Sequence, residues 1–426
     1  MEKISHDNTS SHANENISTS TSFIQRGCRN AVLGNFNHFT VGCLCLTDQF
    51  GSFVFGDTND QELRVELRVH SLEAYSQIVL GGSIGAAEAF MDRHWTSSDL
   101  TTLVRIRVRN QHVLENMEGG FSKIGGYLHK FIHLIRRNNK HGSKRNIAAH
   151  YDLGNDFYKL FLDDTMMYSS ALFRSDSDSL LQASTAKLDL ICQKLQLNEN
   201  DHVIEIGTGW GGFAIHAAQH YGCRVTTTTI SQQQHDFAKK KIASLNLEDR
   251  ITLLQEDYRD LEGRYTKLVS IEMIEAVGHQ YYKQFFKKCS ELLEDNGRML
   301  IQAITINEQR YEEAKNEVDF IQRYIFPGGS LPSNTAIQNG ITQHTDMRLV
   351  HMQEIGISYA KTLERWRETF LSKRNEVKEQ GFSDTFVRMW EYYFCYCEGG
   401  FLERSIGCSH LVYNKPFCQL PDLANL

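Results

Sequence analysis

The spacing of hydrophobic and polar positions changes along the chain, and its N-terminal part favours short strands. Polar and apolar residues alternate from Glu62 to Val69, which predicts a half-buried strand. Shorter strand candidates are Phe39–Leu46 and Phe50–Phe55, and helical spacing follows over Leu72–Val79 and Ile84–Met91. These elements predict a small α+β accessory or docking domain over residues 23–115.

After residue 146 the pattern becomes an alternation of apolar runs with helical repeats. The apolar runs are strand candidates: His202–Ile206, Arg224–Thr229, Ile251–Leu254, Lys267–Ile271 and Arg298–Ile304. The helical repeats are Leu180–Leu195, Phe213–Tyr221, Gln232–Leu245 and Tyr281–Leu293. This alternation predicts an α/β fold with a doubly wound, Rossmann-like parallel sheet.

A glycine cluster follows the first of these strands, within the segment from His202 to Phe213. A strand, a tight turn and a helix N-terminus in this order present free backbone N–H groups to a nucleotide-like ligand. Such ligands bind at the carboxyl ends of the strands. The segment therefore predicts a cofactor site.

The spacing of Gly207, Gly209 and Gly212 also satisfies the dinucleotide pattern Gly-x-Gly-x-x-Gly. That pattern requires an acidic residue about twenty positions later to hold the ribose. The second strand ends instead in Thr226-Thr-Thr-Thr-Ile-Ser231, which has no carboxylate. A nicotinamide cofactor is therefore disfavoured.

Composition narrows the choice of partners. A net charge of −7 and a pI near 6.2 argue against a general nucleic-acid binder. The ten cysteines show no paired Cys-x-x-Cys spacing, so we expect no metal site and a reducing, cytoplasmic setting.

Residues 1–22 are rich in Ser, Thr, Asn and His, which predicts a disordered tail and not a secretory signal. No run of apolar residues is long enough to span a bilayer.

A basic amphipathic linker is predicted over residues 116–146. No acidic residue occurs between Glu118 and Asp152, whereas Lys130, Arg136 and Arg137 are among seven Lys and Arg residues there. Apolar residues recur at helical spacing in the same stretch. Two interpretations stay open: a helix that lies on an anionic membrane surface, and an ordinary interdomain helix.

The C-terminal part is dense in aromatic residues, from Tyr311 to Phe401. Many of them are expected in the core, but an aromatic helical lid over a cofactor site also suits a long apolar substrate. Before this part, Glu272 and Glu275 interrupt an apolar segment after the fourth strand. Because an unpaired carboxylate is costly to bury, one of the two is expected to take part in chemistry.

Several ordered motifs together resemble the cyclopropane-fatty-acyl-phospholipid synthase family. They extend over residues 30 to 415 and are Leu80-Gly-Gly-Ser-Ile-Gly-Ala-Ala-Glu-Ala-Phe90, Ile147-Ala-Ala-His-Tyr-Asp-Leu-Gly-Asn-Asp156, Met167-Tyr-Ser-Ser170, Ile204-Glu-Ile-Gly-Thr-Gly-Trp-Gly-Gly212, Asp257-Tyr-Arg-Asp-Leu261, Met273-Ile-Glu-Ala-Val-Gly278, Tyr324-Ile-Phe-Pro-Gly-Gly329, Thr362-Leu-Glu-Arg-Trp366 and Tyr392-Tyr-Phe-Cys-Tyr-Cys-Glu-Gly-Gly-Phe401. The resemblance implies a class I methyltransferase domain over residues 147–426.

The resemblance implies that the enzyme transfers a methyl group from S-adenosylmethionine to the cis double bond of a phospholipid acyl chain. A bound bicarbonate then takes a proton from the new methyl group, and a cyclopropane ring closes. The implied cofactor-binding residues are Tyr168, Ser169, Gly207, Thr208, Gly209, Gly211, Thr229, Ile230, Gln234, Asp257 and Tyr258. His150 and Tyr151 lie in a motif near the site.

For the bicarbonate site, the resemblance implies Glu275, Tyr359 and the backbone of Ile304. The family usually has a cysteine at the position of Ser170 and a histidine at that of Gln302, and Gln302 cannot carry a proton. Cys397 matches a cysteine once proposed as catalytic, but its aromatic neighbours favour an ordinary buried thiol.

Two further interpretations stay open. The replacements Ser170 and Gln302 allow a fatty-acyl methyltransferase that gives a methyl-branched or methylene product without a ring. A lipid-binding protein without catalytic activity is less consistent with the glycine loop and the carboxylates. The resemblance also implies a homodimer, associated peripherally with the inner face of the membrane.

Overall fold

A computed structural model describes residues 23–112 and 153–423. The predicted tail at residues 1–22 and the predicted linker at residues 116–146 therefore lie outside the described residues, as do His150 and Tyr151. Within the described parts of the chain, no helix combines the length and hydrophobicity needed to cross a membrane.

The N-terminal part contains a four-stranded sheet with the strand order β2-β1-β3-β4. Its elements are α1 (Phe23–Phe36), β1 (Cys43–Asp48), β2 (Gly51–Gly56), β3 (Arg64–Val69), α2 (Glu73–Met91), β4 (Trp95–Ser97) and α3 (Leu100–Arg109). In β3 every second residue is buried, as the alternation predicts. The two predicted helices both lie within α2, where they are separated by a kink at Gly82, whose φ of 56° is not helical.

The larger sheet has seven strands in the order β10-β11-β9-β8-β5-β6-β7. The strands are β5 (His202–Ile206), β6 (Arg224–Thr228), β7 (Ile251–Leu254), β8 (Tyr265–Ile271), β9 (Leu293–Ile306), β10 (Arg348–Glu354) and β11 (Ile406–Asn414). Strands β5 to β9 pair in parallel, whereas β11 pairs antiparallel with both β9 and β10. The predicted doubly wound α/β fold is confirmed.

Ten α-helices of the described residues, α4 to α13, follow the N-terminal part. They are α4 (Asn155–Tyr158), α5 (Leu180–Leu195), α6 (Gly212–Tyr221), α7 (Gln232–Ser244), α8 (Tyr282–Leu292), α9 (Glu308–Ala314), α10 (Asn334–His344), α11 (Gly356–Ser372), α12 (Arg374–Glu379) and α13 (Asp384–Leu402). Helix α5 begins with a capping box, in which Ser179 and Gln182 satisfy each other's backbone N–H groups. The four helices predicted between the strands match α5 to α8 closely.

The aromatic C-terminal part packs as a helical layer against both the glycine-loop side of the sheet and the N-terminal part. Trp390 of α13 lies between the ring of Phe157 and the ring of Phe394, at centroid distances of 4.7 and 5.6 Å. On another face of α13, a Cβ atom at Gly399 would lie 2.7 Å from the side chain of Val104 in α3. Helices α3 and α13 therefore pack with almost no space between them.

Candidate active site

The predicted cofactor loop follows β5 and contains three glycines with positive φ. The φ angles of Gly207, Gly209 and Gly211 are 103°, 53° and 92°. Gly211 precedes the first turn of α6, so free N–H groups of that turn face the carboxyl end of the sheet. Among the described residues, no non-neighbouring atom lies within 4 Å of the position that a Cβ atom of Gly209 would occupy, so the loop borders open space in this part of the structure.

The buried carboxyl group of Glu205 is connected to this loop through two threonine hydroxyls. Thr227 donates to Glu205 Oε2 at 2.6 Å, and the hydroxyl of Thr208 lies 2.6 Å from that of Thr227. The side chain of Thr208 thus fixes the loop. Burial raises the pKa of Glu205 to about 8, against the opposing effects of the Thr227 hydrogen bond and the positive charge of Lys187.

The ends of β6 and β7 carry the other residues expected at the cofactor. Thr229 donates to Gln234 Oε1 at 2.9 Å, and both side chains are buried beside Ile230. Asp257 forms a two-pronged ion pair with Arg259, with 2.7 Å between Asp257 Oδ1 and Arg259 Nε and 2.7 Å between Oδ2 and Nη2. The adenine contacts of Asp257 and Tyr258 stay a prediction.

Tyr168 and Ser169 connect the loop side of the site to the aromatic layer. The Tyr168 hydroxyl donates to that of Tyr393 at 3.0 Å, and the Ser169 hydroxyl accepts from Lys187 Nζ at 2.9 Å. Burial lowers the pKa of Lys187 to about 8. Sequence reasoning missed Lys187, although it lies on the apolar face of α5, where a lysine is unusual.

The next residue, Ser170, contacts the side chain of Glu272, which follows β8. The Ser170 N–H donates to Glu272 Oε1 at 2.9 Å, whereas its hydroxyl donates to the carbonyl of Ala171. Gln302 Nε2 donates to the same Oε1 at 2.7 Å, and the Tyr359 hydroxyl donates to Oε2 at 2.7 Å. Three of the groups expected around bicarbonate therefore surround the carboxylate of Glu272.

Glu275 lies next to this cluster and has fewer partners. Its Oε1 accepts from the N–H of Ile304 at 2.5 Å. Among the described residues its buried Oε2 has no hydrogen-bond partner. Burial, together with the negative charge of Glu272, raises the pKa of Glu275 to about 8. Glu275 is therefore protonated at neutral pH.

A chain of buried polar groups lies behind Gln302. His410 Nε2 lies 3.0 Å from Gln302 Oε1, and His410 Nδ1 lies 3.1 Å from Lys194 Nζ. When Lys194 donates to Nδ1, His410 donates at Nε2 to Gln302 Oε1, and this arrangement agrees with the amide orientation in which Gln302 Nε2 faces Glu272. His410 belongs to β11, which sequence reasoning did not identify.

Cys397 lies in α13, apart from these hydrogen bonds. It packs against the aromatic core, and burial raises the pKa of its thiol. A protonated thiol is a poor nucleophile, so this environment agrees with an ordinary buried cysteine.

The residues at the carboxyl end of the sheet fit S-adenosylmethionine, because an open glycine loop and a helix N-terminus border the space beside Tyr168. They do not fit bicarbonate. The donors that would hold this anion already bond Glu272, and a second negative charge beside that carboxylate would be repelled.

Two features define a class I S-adenosylmethionine-dependent methyltransferase. The sheet is mostly parallel, with one antiparallel strand, β11, next to β9. The glycine loop after β5 is open to a nucleotide-like ligand. The chain belongs to the mycolic acid cyclopropane synthetase family, whose model matches residues 138–411.

Known proteins with similar sequences include two lipid-modifying enzymes. The chain is 36% identical to the tuberculostearic acid methyltransferase UfaA1 of Mycobacterium tuberculosis, over 75% of the chain and 76% of UfaA1. It is 33% identical to the cyclopropane-fatty-acyl-phospholipid synthase of Escherichia coli K12, over 82% of the chain and 88% of that protein. The crystal structure of the mycolic acid cyclopropane synthase CmaA1 with SAH and CTAB superposes with a TM-score of 0.60 at 28% identity, covering 64% of this chain and 98% of CmaA1.

Gly209→Ala should weaken binding of S-adenosylmethionine about tenfold, because a methyl group would enter the space that the loop borders. The matched control is Gly381→Ala, at a φ of 92° with no protein atom near its Cβ position. Both variants should lose about 1 kcal/mol of stability for the left-handed backbone. Calorimetric titration checks this, and equal cofactor affinities of the two variants would contradict a cofactor role for the loop.

Glu205→Gln should remove part of the pH dependence of stability. With a pKa of about 8 in the folded state and 4.5 as the ordinary value, the folded protein binds more protons between these values. The contribution of Glu205 to the free energy of unfolding therefore falls as pH rises toward 8, by about 2 kcal/mol between pH 6 and pH 8. Urea unfolding at both values checks this, with the exposed Glu262→Gln as the control. An unchanged slope in Glu205→Gln would show that Glu205 is ionised in the folded protein.

Proposed function

We propose that this enzyme transfers the methyl group of S-adenosylmethionine to the cis double bond of unsaturated phospholipid acyl chains and that the product is a cyclopropane ring. One observation carries the proposal: the hydrogen bond from the Ser170 N–H to Glu272 joins the cofactor segment Tyr168–Ser169 to a carboxylate among aromatic rings. The family, together with the lipid substrates in the names of its relatives, supports an acyl-lipid substrate.

S-adenosylmethionine supplies an electrophilic methyl group when bound. The glycine loop and Thr229–Gln234 would hold it, and Tyr168 and Ser169 would lie beside it. Methyl addition to an alkene leaves positive charge on the acyl chain, which aromatic faces stabilise and which water would quench. Tyr359 stacks on Phe401 at 4.5 Å, and Tyr168 lies 5.2 Å from Trp366, so the protein supplies such faces near Glu272.

Ring closure also requires a group that accepts a proton from the transferred methyl. The proposed reaction does not use bicarbonate, because the donors expected to bind it are those that bond Glu272. The residues expected at the bicarbonate site, including Glu275 and Ile304, stay part of the proposed active site around Glu272.

The test uses the full chain, S-adenosylmethionine with a deuterated methyl group, and vesicles of dioleoyl phosphatidylglycerol. A cyclopropane product gains one carbon, retains two of the three deuterium atoms and loses the double bond. An exocyclic methylene product also retains two deuterium atoms but keeps a double bond, and a methyl branch retains all three. Gas chromatography with mass spectrometry of the released fatty acids separates these results. Absence of any labelled lipid would overturn the proposal.

A branched or methylene product is the second candidate. It is favoured by Ser170 and Gln302, which stand where the family usually has cysteine and histidine, and by the 36% identity to a tuberculostearic acid methyltransferase. The deuterium count distinguishes a methyl branch from the ring, and the remaining double bond distinguishes a methylene product from it.

We further propose that the enzyme works as a homodimer at the cytoplasmic face of the membrane, with the basic segment 116–146 bound to anionic lipid. Replacing Lys130, Arg136 and Arg137 by Gln should weaken binding to anionic vesicles roughly a hundredfold, since each basic residue near such a surface contributes about 1 kcal/mol. Cosedimentation at low and high salt checks this. Equal, salt-independent binding of wild type and variant would contradict the lipid contact.

A further inference from the structure

Glu272 adopts a backbone conformation that few side chains adopt. It follows β8 directly, its φ is 49°, and its N–H donates to the carbonyl of Gln302 at 2.8 Å. A left-handed conformation is unfavourable for a residue other than glycine. Such conformations concentrate at functional sites, where surrounding contacts maintain them. The conformation of Glu272 therefore calls for a contribution from its side chain.

The carboxylate of Glu272 is held as an anion by neutral donors. Ser170 N–H and Gln302 Nε2 bond one oxygen, and the Tyr359 hydroxyl bonds the other, at 2.7 to 2.9 Å. Burial raises the pKa of Glu272, but these hydrogen bonds and the positive charge of Lys187 act against burial and favour the ionised form. As a residue Glu272 is only partly buried, whereas Ser170 and Gln302 are fully buried.

The donors are themselves fixed in place. His410 orients the Gln302 amide so that Nε2 points at Glu272, and Lys194 orients His410. Tyr359 is stacked on Phe401. A carboxylate in such a rigid setting is preorganised to accept a proton from one direction.

Glu275, the neighbouring carboxyl group, has the opposite environment. It accepts one backbone N–H, and its second oxygen is buried without a hydrogen-bond partner among the described residues. Two carboxyl groups in contrasting environments take different roles, one ionised and one neutral. The ionised partner of this pair is Glu272.

We propose that Glu272 is the catalytic base of the reaction and that its carboxylate replaces an external bicarbonate. This inference rests on the proposed methyl transfer. The bond between sulfur and the methyl carbon breaks as that carbon bonds one alkene carbon, which leaves a cation on the other. Glu272 takes a proton from the new methyl group, and the electrons of that C–H bond form the second C–C bond of the ring. The products are a cyclopropane, S-adenosylhomocysteine and protonated Glu272.

The test compares the full-length wild type with Glu272→Gly, in buffer freed of carbon dioxide and in buffer with millimolar bicarbonate. Glycine suits the positive φ of this position, so the variant should fold, and it opens the anion site. The matched control is Asn246→Gly, which changes an exposed residue with a φ of 54°. The readouts are the ring product and the binding of ¹³C-labelled bicarbonate, followed by NMR.

The wild type should be equally active with and without bicarbonate and should bind none. Glu272→Gly should lose at least a hundredfold in rate without bicarbonate, regain at least tenfold with it, and bind the labelled anion. The control should behave as the wild type. Bicarbonate binding by the wild type, or full activity of Glu272→Gly in carbonate-free buffer, would overturn the inference. If neither the wild type nor either variant methylates lipid, the proposed function fails. The NMR measurement of bicarbonate binding then still decides whether the Glu272 side chain occupies the anion site.

Discussion

Glu272→Gln should lower the rate of ring formation about a thousandfold and leave the affinity for S-adenosylmethionine within about twofold of the wild type. A general base contributes a factor of 10² to 10⁴, and an amide cannot accept the proton. The side chain keeps its size, so the surrounding segments should stay in place. Steady-state kinetics with vesicles and calorimetry with the cofactor check both expectations. A matching loss of cofactor affinity would show that Glu272 has a structural role.

Glu275→Gln is the matched comparison and should cost less than tenfold in rate at pH 7. Burial and the charge of Glu272 raise the pKa of Glu275 to about 8, so the wild-type side chain is neutral there and glutamine imitates it. Above pH 8 Glu275 loses its proton, and a second negative charge appears beside Glu272. The wild-type rate should therefore fall above pH 8, whereas that of Glu275→Gln should not. Equal losses for the two glutamine variants at pH 7 would contradict this division of roles.

Trp390→Ala should destabilise the protein by about 4 kcal/mol, the second large effect that we expect. The side chain is 1% exposed and contacts rings from three parts of the chain, among them Phe157 and Phe370. Its removal leaves a cavity in the layer that joins α4, α11 and α13. Urea unfolding checks the value. Phe417→Ala, at a ring that is 69% exposed, should change stability by less than about 0.5 kcal/mol.

The sequence predicts the parallel part of the sheet well, because its strands are buried runs between amphipathic helices. Strands β5 and β7 have the predicted bounds, and the other three predicted strands differ at their ends. Strands β10 and β11 were not predicted. β10 is an edge strand with mostly polar residues, and β11 inserts between β9 and β10 after a long helical region. Because β11 pairs with β9 about a hundred residues earlier in the chain, no local sequence pattern predicts this pairing.

The glycine loop of the candidate site could be predicted from local spacing, but the surroundings of Glu272 could not. Ser170 and Tyr359 are 102 and 87 residues away from Glu272 along the chain. The sequence indicated that Glu272 or Glu275 takes part in chemistry, and the family resemblance favoured Glu275. Only the folded structure shows that Ser170 and Tyr359 donate hydrogen bonds to Glu272, because the distance between these residues depends on how α11 packs against the sheet.

The close packing of α3 against α13 limits how this chain can be divided. Glu403, which follows α13, pairs with Arg105 at 2.7 Å and also bonds Arg109, and Val104 fills the space beside Gly399. A fragment cut to residues 138–411, the range that the family model matches, would lose these partners and expose an apolar helix face to water. We therefore expect that removal of the N-terminal part would destabilise the rest of the chain through the loss of these contacts.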